Sequence, residues 1–464
     1  MLQLILISAY FVAMVTIGLV SRKKARGIDD FFVAGRKGGA LLITGSLLAT
    51  IVGGSATVGM AGLGFSRGLT GAWWLLVGSI GLVVLGLFFA KKVRGFGLYT
   101  LPELVTKQYD GRVGLAASVL IVVAWVGVIA AQIIASGTIL GILGIGTPLL
   151  WMVVFTIIFI TYSVLGGQQA VIRTDAVQMG IILAGIFGGL ALVLSRLGGF
   201  SGLVSSLPAE SFAFPISPQF SGQELISLLL LVGLTYVVGP DMYSRLFCAK
   251  DGNTARKSVF WAALIVVPIA LGITLIGMGA SALFPEISPE QALPVIITQV
   301  LPPFMGGVVL AALLGALMSS ADTCLLSAST IMTVDIIGRF KKSLSPTRTL
   351  PYSRWAMVII GVASLLLALV MKGVISTLLF TFTVYTAGVI IPVIIGFYKD
   401  RLRVTPLGAL AAVIGGGVAA LISKILSIAY LDLGSLPISA LLLFLVSFWD
   451  NRVKGRRLDV PQAI

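Results

Sequence analysis

Long apolar runs recur along the whole chain, with only short polar segments between them. A run of about 20 residues, folded as an α-helix, crosses the roughly 30 Å hydrocarbon core of a bilayer. Strict alternation of apolar and polar positions, the pattern of membrane β-strands, is missing. The pattern therefore predicts an all-α polytopic membrane protein. Its predicted thirteen spans lie at residues 2–20, 39–66, 69–90, 113–142, 148–165, 174–197, 223–244, 257–284, 303–333, 355–371, 374–396, 404–430 and 434–449.

Positive charges gather in alternate loops of this arrangement. Of the 32 lysines and arginines, 28 lie on one predicted side, in 21–38, 91–112, 245–257, 334–354, 399–403, 450–464 and at Arg173. The exceptions are Arg67, Arg196, Lys372 and Lys424. Since loops rich in positive charge stay in the cytoplasm, the N-terminus is predicted outside and the tail 450–464 inside. No basic residue precedes the first span, so we expect a retained helix and not a cleaved signal peptide.

Composition excludes several classes of function. The net charge of +15 would suggest a nucleic-acid partner in a soluble protein, but here the charged loops account for it, and no nucleic acid is expected. The absence of histidine excludes His-ligated zinc and a Ser-His-Asp triad, and two cysteines argue against a disulfide framework. No P-loop motif occurs. We expect neither an enzyme nor an organic cofactor.

Two spans contain helix breakers near mid-depth, at Gly53-Gly54 and at Gly239-Pro240. They lie five spans apart, so 39–197 and 223–396 are predicted to be two halves of a repeat, the second inverted because each half has an odd number of spans. Matching broken helices indicate the midplane site of a secondary transporter, because unwound backbone exposes carbonyls and half-helix N-termini. The alternative is that the glycines only allow close helix packing and the proline only bends its helix.

The stretch LMSSADTCLLSAST, Leu317 to Thr330, places polar residues inside an apolar span. At about 100° per residue, Ser319, Ser320, Asp322, Thr323 and the remaining hydroxyls fall on one half of the helix. A single serine usually bonds its own backbone. A carboxylate at membrane depth, however, costs at least about 3 kcal/mol and persists only with a partner or a cation. Hydroxyl, carbonyl and carboxylate oxygens indicate an alkali cation and no transition metal.

A second acid at depth, Asp175, either pairs with Arg173 or belongs to a cation site. Two other classes of function are kept open. Asp175 and Asp322 could form the dyad of an intramembrane aspartyl protease, although neither lies in a G-x-G-D context. A passive channel would require a continuous polar pore, whereas the polar residues here cover half of one helix.

Four stretches resemble the sodium:solute symporter family, over about residues 1–450: LLATIVGGSATVGMAGLGF, YSVLGGQQAVIRTDAVQ, GPDMYSRLFCAKD and LMSSADTCLLSASTIMTVDI. The resemblance implies a LeuT-type fold of two inverted five-helix repeats, with one extra helix before them and two after, at 404–449. It implies a sodium site formed by backbone carbonyls and two hydroxyls, on Ala49, Val52, Ala316, Ser319 and Ser320. As in some members, it also implies a second cation site, at Asp175, Ser319, Asp322 and Thr323.

We expect the solute between the two breaks, in contact with Gly53, Ser55, Thr57, Trp73, Gln132, Tyr236 and Pro240. Gln132 either bonds a neighbouring helix or reaches the solute. Where sugar-carrying relatives hold polar side chains, this chain has apolar or small residues, Ala56, Leu75, Gly78 and Val232, which disfavours a sugar. The acid that proline carriers hold beside sodium is Ile51 here, which argues against proline.

The sequence thus predicts a monomeric carrier of the plasma membrane. It imports a small organic solute, a carboxylate or an amino acid, by alternating access. The predicted coupling ion is sodium, and a proton-coupled carrier of the same fold is the alternative.

Overall fold

The computed structural model describes residues 2–22, 27–141, 144, 146–341, 346–371, 373–426 and 431–458. Over these ranges the regular structure is helical, and the only β-type pairings are two isolated bridges. Eleven helices of the described chain are long and apolar enough to cross a membrane, and Ile5–Met14 and Ala40–Ile51 are shorter apolar helices. The all-α membrane architecture predicted from the apolar runs is therefore present.

The principal helices are numbered in chain order: α1 Leu2–Arg22, α2 Ala40–Ile51, α3 Ser55–Gly95, α4 Gly111–Gly141, α5 Pro148–Gln168, α6 Ala170–Arg196, α7 Gly222–Cys248, α8 Gly252–Leu283, α9 Pro303–Phe340, α10 Arg348–Val370, α11 Val374–Gly396, α12 Pro406–Ile425 and α13 Gly434–Val453. Every predicted span overlaps one or two of them. The count of thirteen crossings and the inverted repeat stay predictions. Some parts of the predicted arrangement lie outside the described residues, namely 23–26 of the first loop, the span ends 142 and 427–430, and 459–464 of the tail.

Local chemistry explains where several helices begin. Thr100 and Glu103 form a reciprocal capping box at the short helix Leu101–Gln108. The Asp251 carboxylate accepts a 2.7 Å hydrogen bond from the Thr254 N–H at the start of α8. Prolines open α5, α9 and α12, where a missing N–H costs nothing.

Between α5 and α6 the chain turns at Gly167, whose backbone has φ 58° and ψ −162°. A Cβ at this position would lie 2.5 Å from the Phe31 ring. Only glycine meets both requirements, since other residues rarely adopt positive φ. This turn sets the direction of α6, which carries Asp175.

Helix α9 lies at the centre of the protein. Every residue from Ala312 to Ile331 is buried, and the helix packs against α1, α4, α6 and α10. The outer helices instead expose large apolar side chains, such as Trp261, Trp355 and Leu366. Such a surface suits contact with lipid. The polar half of α9 therefore faces other helices and not lipid.

Both predicted breaks occur. Helix α2 ends at Ile51, and Val52 leaves the helical region with φ −86° and ψ 72°. Helix α7 is interrupted at Val238, with φ −131° and ψ 80°, and resumes at Pro240. The first half of α7 contacts α3, and its second half contacts α2 and α9. The two breaks are thus brought to the same region of the fold.

Glycine at the first break also permits close packing. A Cβ on Gly53 would lie 2.5 Å from Ser320 Oγ, and one on Gly54 would lie 2.8 Å from Leu317 Cδ2. Close packing and helix interruption, which the sequence left as alternatives, therefore coincide here.

Candidate functional site

Helix α9 meets the broken end of α2 through two adjacent hydroxyls. Ser319 Oγ lies 2.8 Å from the Ala49 carbonyl and 3.0 Å from the Ala316 carbonyl. Ser320 Oγ lies 2.8 Å from the Thr50 carbonyl and 3.4 Å from that of Ala49. Side-chain and backbone oxygens thus converge where α2 loses its helical hydrogen bonds.

This cluster includes most of the predicted sodium ligands. The Ser319 hydroxyl is within hydrogen-bond distance of the Ala49 and Ala316 carbonyls, and the Ser320 hydroxyl is within that distance of the Ala49 carbonyl. Val52 is fully buried at the break itself. Each hydroxyl now donates to a carbonyl, and rotation about its C–O bond would turn a lone pair towards a cation instead. The donor set consists of hard oxygens, which suits sodium.

Asp175, on α6, has a partner that the sequence analysis did not identify. Its Oδ2 accepts hydrogen bonds from Ser46 Oγ at 2.5 Å and from Arg245 Nη2 at 3.1 Å, and the ion pair with Arg245 is fully buried. The alternative pairing with Arg173 is not seen, because that side chain is exposed on the other face of α6. The guanidinium on α7 compensates the carboxylate instead.

Thr323 joins this ion pair to Asp322. Its Oγ1 accepts a hydrogen bond from Arg245 Nη2, donates to the Ser319 carbonyl at 2.6 Å and lies 3.4 Å from Asp322 Oδ1. The Tyr162 hydroxyl donates to Asp322 Oδ2. The four residues predicted for a second cation site, Asp175, Ser319, Asp322 and Thr323, therefore belong to one buried network.

The network contains two carboxylates and one guanidinium. With both carboxylates ionised its formal charge is −1, which is costly at membrane depth. Within the described chain, Asp175 Oδ1 and Arg245 Nε are buried without a hydrogen-bond partner. Buried polar atoms of this kind usually mark a water or an ion. One more cation would neutralise the network.

A cavity of about 50 Å³ opens between the two breaks, with room for a few waters or part of a small solute. Four predicted solute residues are among those that line it: Gly53, Ser55, Gln132 and Tyr236. Ser320 also lines it, so the cavity borders the candidate sodium site directly. The Gln132 amide oxygen accepts a 2.6 Å hydrogen bond from the Gly54 N–H. Gln132 therefore both bonds the broken helix and faces the cavity.

Three predicted solute residues lie elsewhere. Thr57 donates back to the Gly53 carbonyl at 2.9 Å and borders a separate apolar cavity. The Trp73 indole donates to the Pro215 carbonyl at 2.9 Å and stacks on Phe214. Pro240 is buried at the first position of the half-helix and does not line the cavity. Each is a sequence neighbour of a residue that lines the cavity or the break, but its own side chain is turned away from the cavity.

The sequence analysis missed several cavity residues, among them Trp74, Trp125, Asp241 and Phe382. Trp74 and Asp241 each immediately follow a predicted residue, and Asp241 lies in the quoted motif GPDMYSRLFCAKD. Trp125 and Phe382 lie in long apolar spans, where nothing distinguishes a cavity aromatic from a packing one.

Solved structures share this fold. A Na⁺-coupled sialic acid symporter in a substrate-bound outward-open state has a TM-score of 0.80 at 18% identity, with 96% of each chain covered. A nucleobase-cation-symport-1 family transporter, in a closed conformation with bromovinylhydantoin bound, has a TM-score of 0.65 at 16% identity, covering 92% of this chain and 94% of that one. The fold is thus that of membrane symporters.

The model of the sodium:solute symporter family matches residues 31–416, and the chain belongs to that family. It is 28% identical to the sodium/glucose cotransporter of Vibrio parahaemolyticus, over 80% of this chain and 75% of the relative. It is 27% identical to the sodium/pantothenate symporter of Escherichia coli (strain K12), over 98% and 96%. The resemblance found in the sequence is confirmed: the protein is a sodium-coupled membrane transporter and not an enzyme.

Proposed function

We propose that this protein imports a small organic solute, a carboxylate or an amino acid, together with sodium, by alternating access across the plasma membrane. One observation carries the proposal. Ser320 contributes its hydroxyl to the oxygen cluster at the α2 break and also lines the cavity between the two breaks. A cation bound at the cluster would therefore touch the same residue as the solute.

The sodium ligands of this proposal are the carbonyls of Ala49, Val52 and Ala316 and the hydroxyls of Ser319 and Ser320. Sodium would replace the present hydroxyl-to-carbonyl hydrogen bonds and tie α9 to the end of α2. The break would then be fixed in one conformation, and the solute would meet a preformed site.

In this conformation Arg245 contacts the predicted second cation site. Its Nη2 bonds both Asp175 Oδ2 and Thr323 Oγ1, which are two of the four predicted ligands. We propose that the guanidinium serves as a tethered cation here and that one sodium completes the neutralisation. A tenfold sodium gradient adds about 1.4 kcal/mol to the driving force per sodium ion, and a membrane potential of 100 mV adds about 2.3 kcal/mol. For a solute without net charge, such as a zwitterionic amino acid, one sodium could therefore sustain roughly 500-fold accumulation.

A sugar remains the less favoured solute, although several relatives are sodium/glucose cotransporters. Val232 lines the cavity and Leu75 is fully buried. A Cβ on Gly78 would lie 2.8 Å from the Tyr236 ring, so the ring fills the space there. These positions offer no hydroxyl or amide to a polyol. We also propose that the N-terminus lies outside the cell, that the C-terminus lies in the cytoplasm and that the protein acts as a monomer.

The experiment is a stability titration of the detergent-purified protein. At constant ionic strength, replacing potassium by sodium should raise the midpoint of unfolding in wild type, and Ser320→Ala should reduce that gain. Thr330→Ala is the matched control, because Thr330 is a buried hydroxyl of the same helix that donates only to the Leu326 carbonyl, at 2.7 Å. Equal stability in the two salts would contradict the proposed sodium site.

A further inference from the structure

Asp241 is the second residue of the half-helix Pro240–Cys248, and it lines the cavity between the breaks. Its carboxylate accepts hydrogen bonds from the backbone N–H groups of Asp241 and Met242. The N-terminus of this half-helix thus already holds an acid of the protein itself.

No lysine or arginine of the described chain forms an ion pair with Asp241. The nearest candidate along the half-helix is Arg245, but its guanidinium is bonded to Asp175 and Thr323. Cationic side chains are also missing from the described residues that line the cavity. Arg245 thus acts on Asp241 only from a distance, without a direct ion pair. A carboxylate that faces a low-dielectric cavity without a direct ion-pair partner favours a cation beside it.

The cavity wall carries four aromatic rings, from Trp74, Trp125, Tyr236 and Phe382. Aromatic faces attract cations through their quadrupole, and a nearby carboxylate strengthens the effect. The same rings offer nothing to a solute carboxylate, apart from the Tyr236 hydroxyl and the Trp indole N–H groups. Beside Asp241, the carboxylate and the ring faces together favour positive over negative charge.

We propose that Asp241 binds a positively charged nitrogen of the solute, so that the transported compounds are zwitterionic or cationic amines. The carboxylate of a zwitterion would then lie at the opposite end, beside Gly53, Ser320 and the bound sodium. This inference rests on the proposed function, and it narrows the solute from carboxylates in general to compounds that carry an ammonium group.

The test is a binding screen of the purified protein in sodium, with stabilisation as the readout. The nitrogen-bearing probes are the common amino acids, glycine betaine and choline. The probes without charged nitrogen are L-lactate, pyruvate, tert-butylacetate and glucose. L-Lactate matches L-alanine in size. tert-Butylacetate has the shape and the carboxylate of glycine betaine but lacks its positive charge. We expect stabilisation by at least one nitrogen-bearing probe and none by its neutral-headed counterpart.

Asp241→Asn then tests the residue. Asparagine has the size of aspartate and keeps a side-chain oxygen that can accept from the same backbone N–H groups, so the half-helix should be preserved. We expect the affinity for the stabilising amine to fall about tenfold or more, since a charge-assisted contact is lost, while half-saturation by sodium measured without solute stays unchanged. Asp251→Asn is the control for the same substitution, because Asp251 also accepts backbone hydrogen bonds at the start of a helix but is exposed and does not line the cavity.

The inference is overturned if only nitrogen-free probes bind, if no probe in the nitrogen-bearing set binds, or if Asp241→Asn keeps the wild-type affinity for the amine. A loss of sodium response in Asp241→Asn would also overturn it, since the residue would then support the break itself. Failure of the proposed function has a separate signature, namely a wild-type protein that sodium does not stabilise.

Discussion

Removal of the Arg245 guanidinium tests the charge balance of the buried network formed by Asp175, Asp322 and Arg245. In Arg245→Met, Asp175 and Asp322 remain buried without a protein cation beside them. The broken ion pair has an N–O distance of 3.1 Å, with both side chains fully buried. Breaking such a pair by removing one partner costs about 3–5 kcal/mol. In potassium, we therefore expect the variant to unfold at much lower denaturant or temperature than wild type.

Sodium should recover part of this loss. In the variant, the formal charge of the network changes from −1 to −2. The space that the guanidinium leaves lies next to Asp175 Oδ2 and Thr323 Oγ1, and both oxygens can bind a cation. Stabilisation by a bound ion grows by about 1.4 kcal/mol per tenfold rise in its concentration above Kd. One bound sodium thus gives a slope of about 1.4 kcal/mol per decade, and two give about 2.8 kcal/mol per decade.

The assay measures unfolding free energy against the logarithm of sodium concentration, with potassium keeping ionic strength constant. Wild type should show the single-ion slope and Arg245→Met the steeper one. The control is the double variant Asp175→Asn/Arg245→Met, which removes both charges and should return to the single-ion slope. If Arg245→Met keeps the wild-type slope, the guanidinium does not occupy a cation site, and our charge count is wrong.

Three further predictions concern sodium, the solute and topology. Ser319→Ala should raise half-saturation by sodium about tenfold or more, because the membrane offers no water to replace the lost ligand, with the fold intact; an unchanged value would remove this helix from the site. Tyr236→Ala should raise half-saturation for solute, once one is identified, far more than that for sodium alone, and equal losses would show that the ring only supports α7. Cysteines introduced at Ser217 and Asn253 should be labelled from outside and inside respectively, and labelling of both from one side would contradict the orientation.

The sequence predicted the breaks and the hydroxyl pair because their causes are local. Paired glycines and a Gly-Pro step weaken a helix through their own backbone, and adjacent serines share a helical face whatever surrounds them. The observed break at Val52-Gly53 and the contacts of Ser319 and Ser320 with the Ala49 carbonyl follow from these rules. The resemblance implied the Ala49 and Ala316 carbonyls, which do face the hydroxyls, but it did not imply the Thr50 carbonyl, to which Ser320 donates.

The partner of Asp175 could not be predicted in the same way. Arg245 is 70 positions away along the chain, whereas Arg173 is two positions away and invited a local pairing. Helical geometry decides between them, since residues two apart on a helix point in different directions. A rotation of one residue likewise separates Trp73, whose indole donates to the Pro215 carbonyl, from Trp74, which lines the cavity. Contacts between distant helices depend on the direction of each helix, which the apolar pattern does not specify.

Coupling between sodium and solute follows from where Ser320 lies. Its hydroxyl is bonded to the Thr50 carbonyl, on the last turn of α2, and its side chain borders the cavity beside Gly53. On the proposed site, a sodium that draws this hydroxyl away from Thr50 alters the wall that the solute touches, and a bound solute alters the ligand that sodium needs. Linkage makes the two effects equal in free energy, so any factor that sodium adds to solute affinity is returned to sodium by the solute. No relay through distant helices is required, because one residue belongs to both sites.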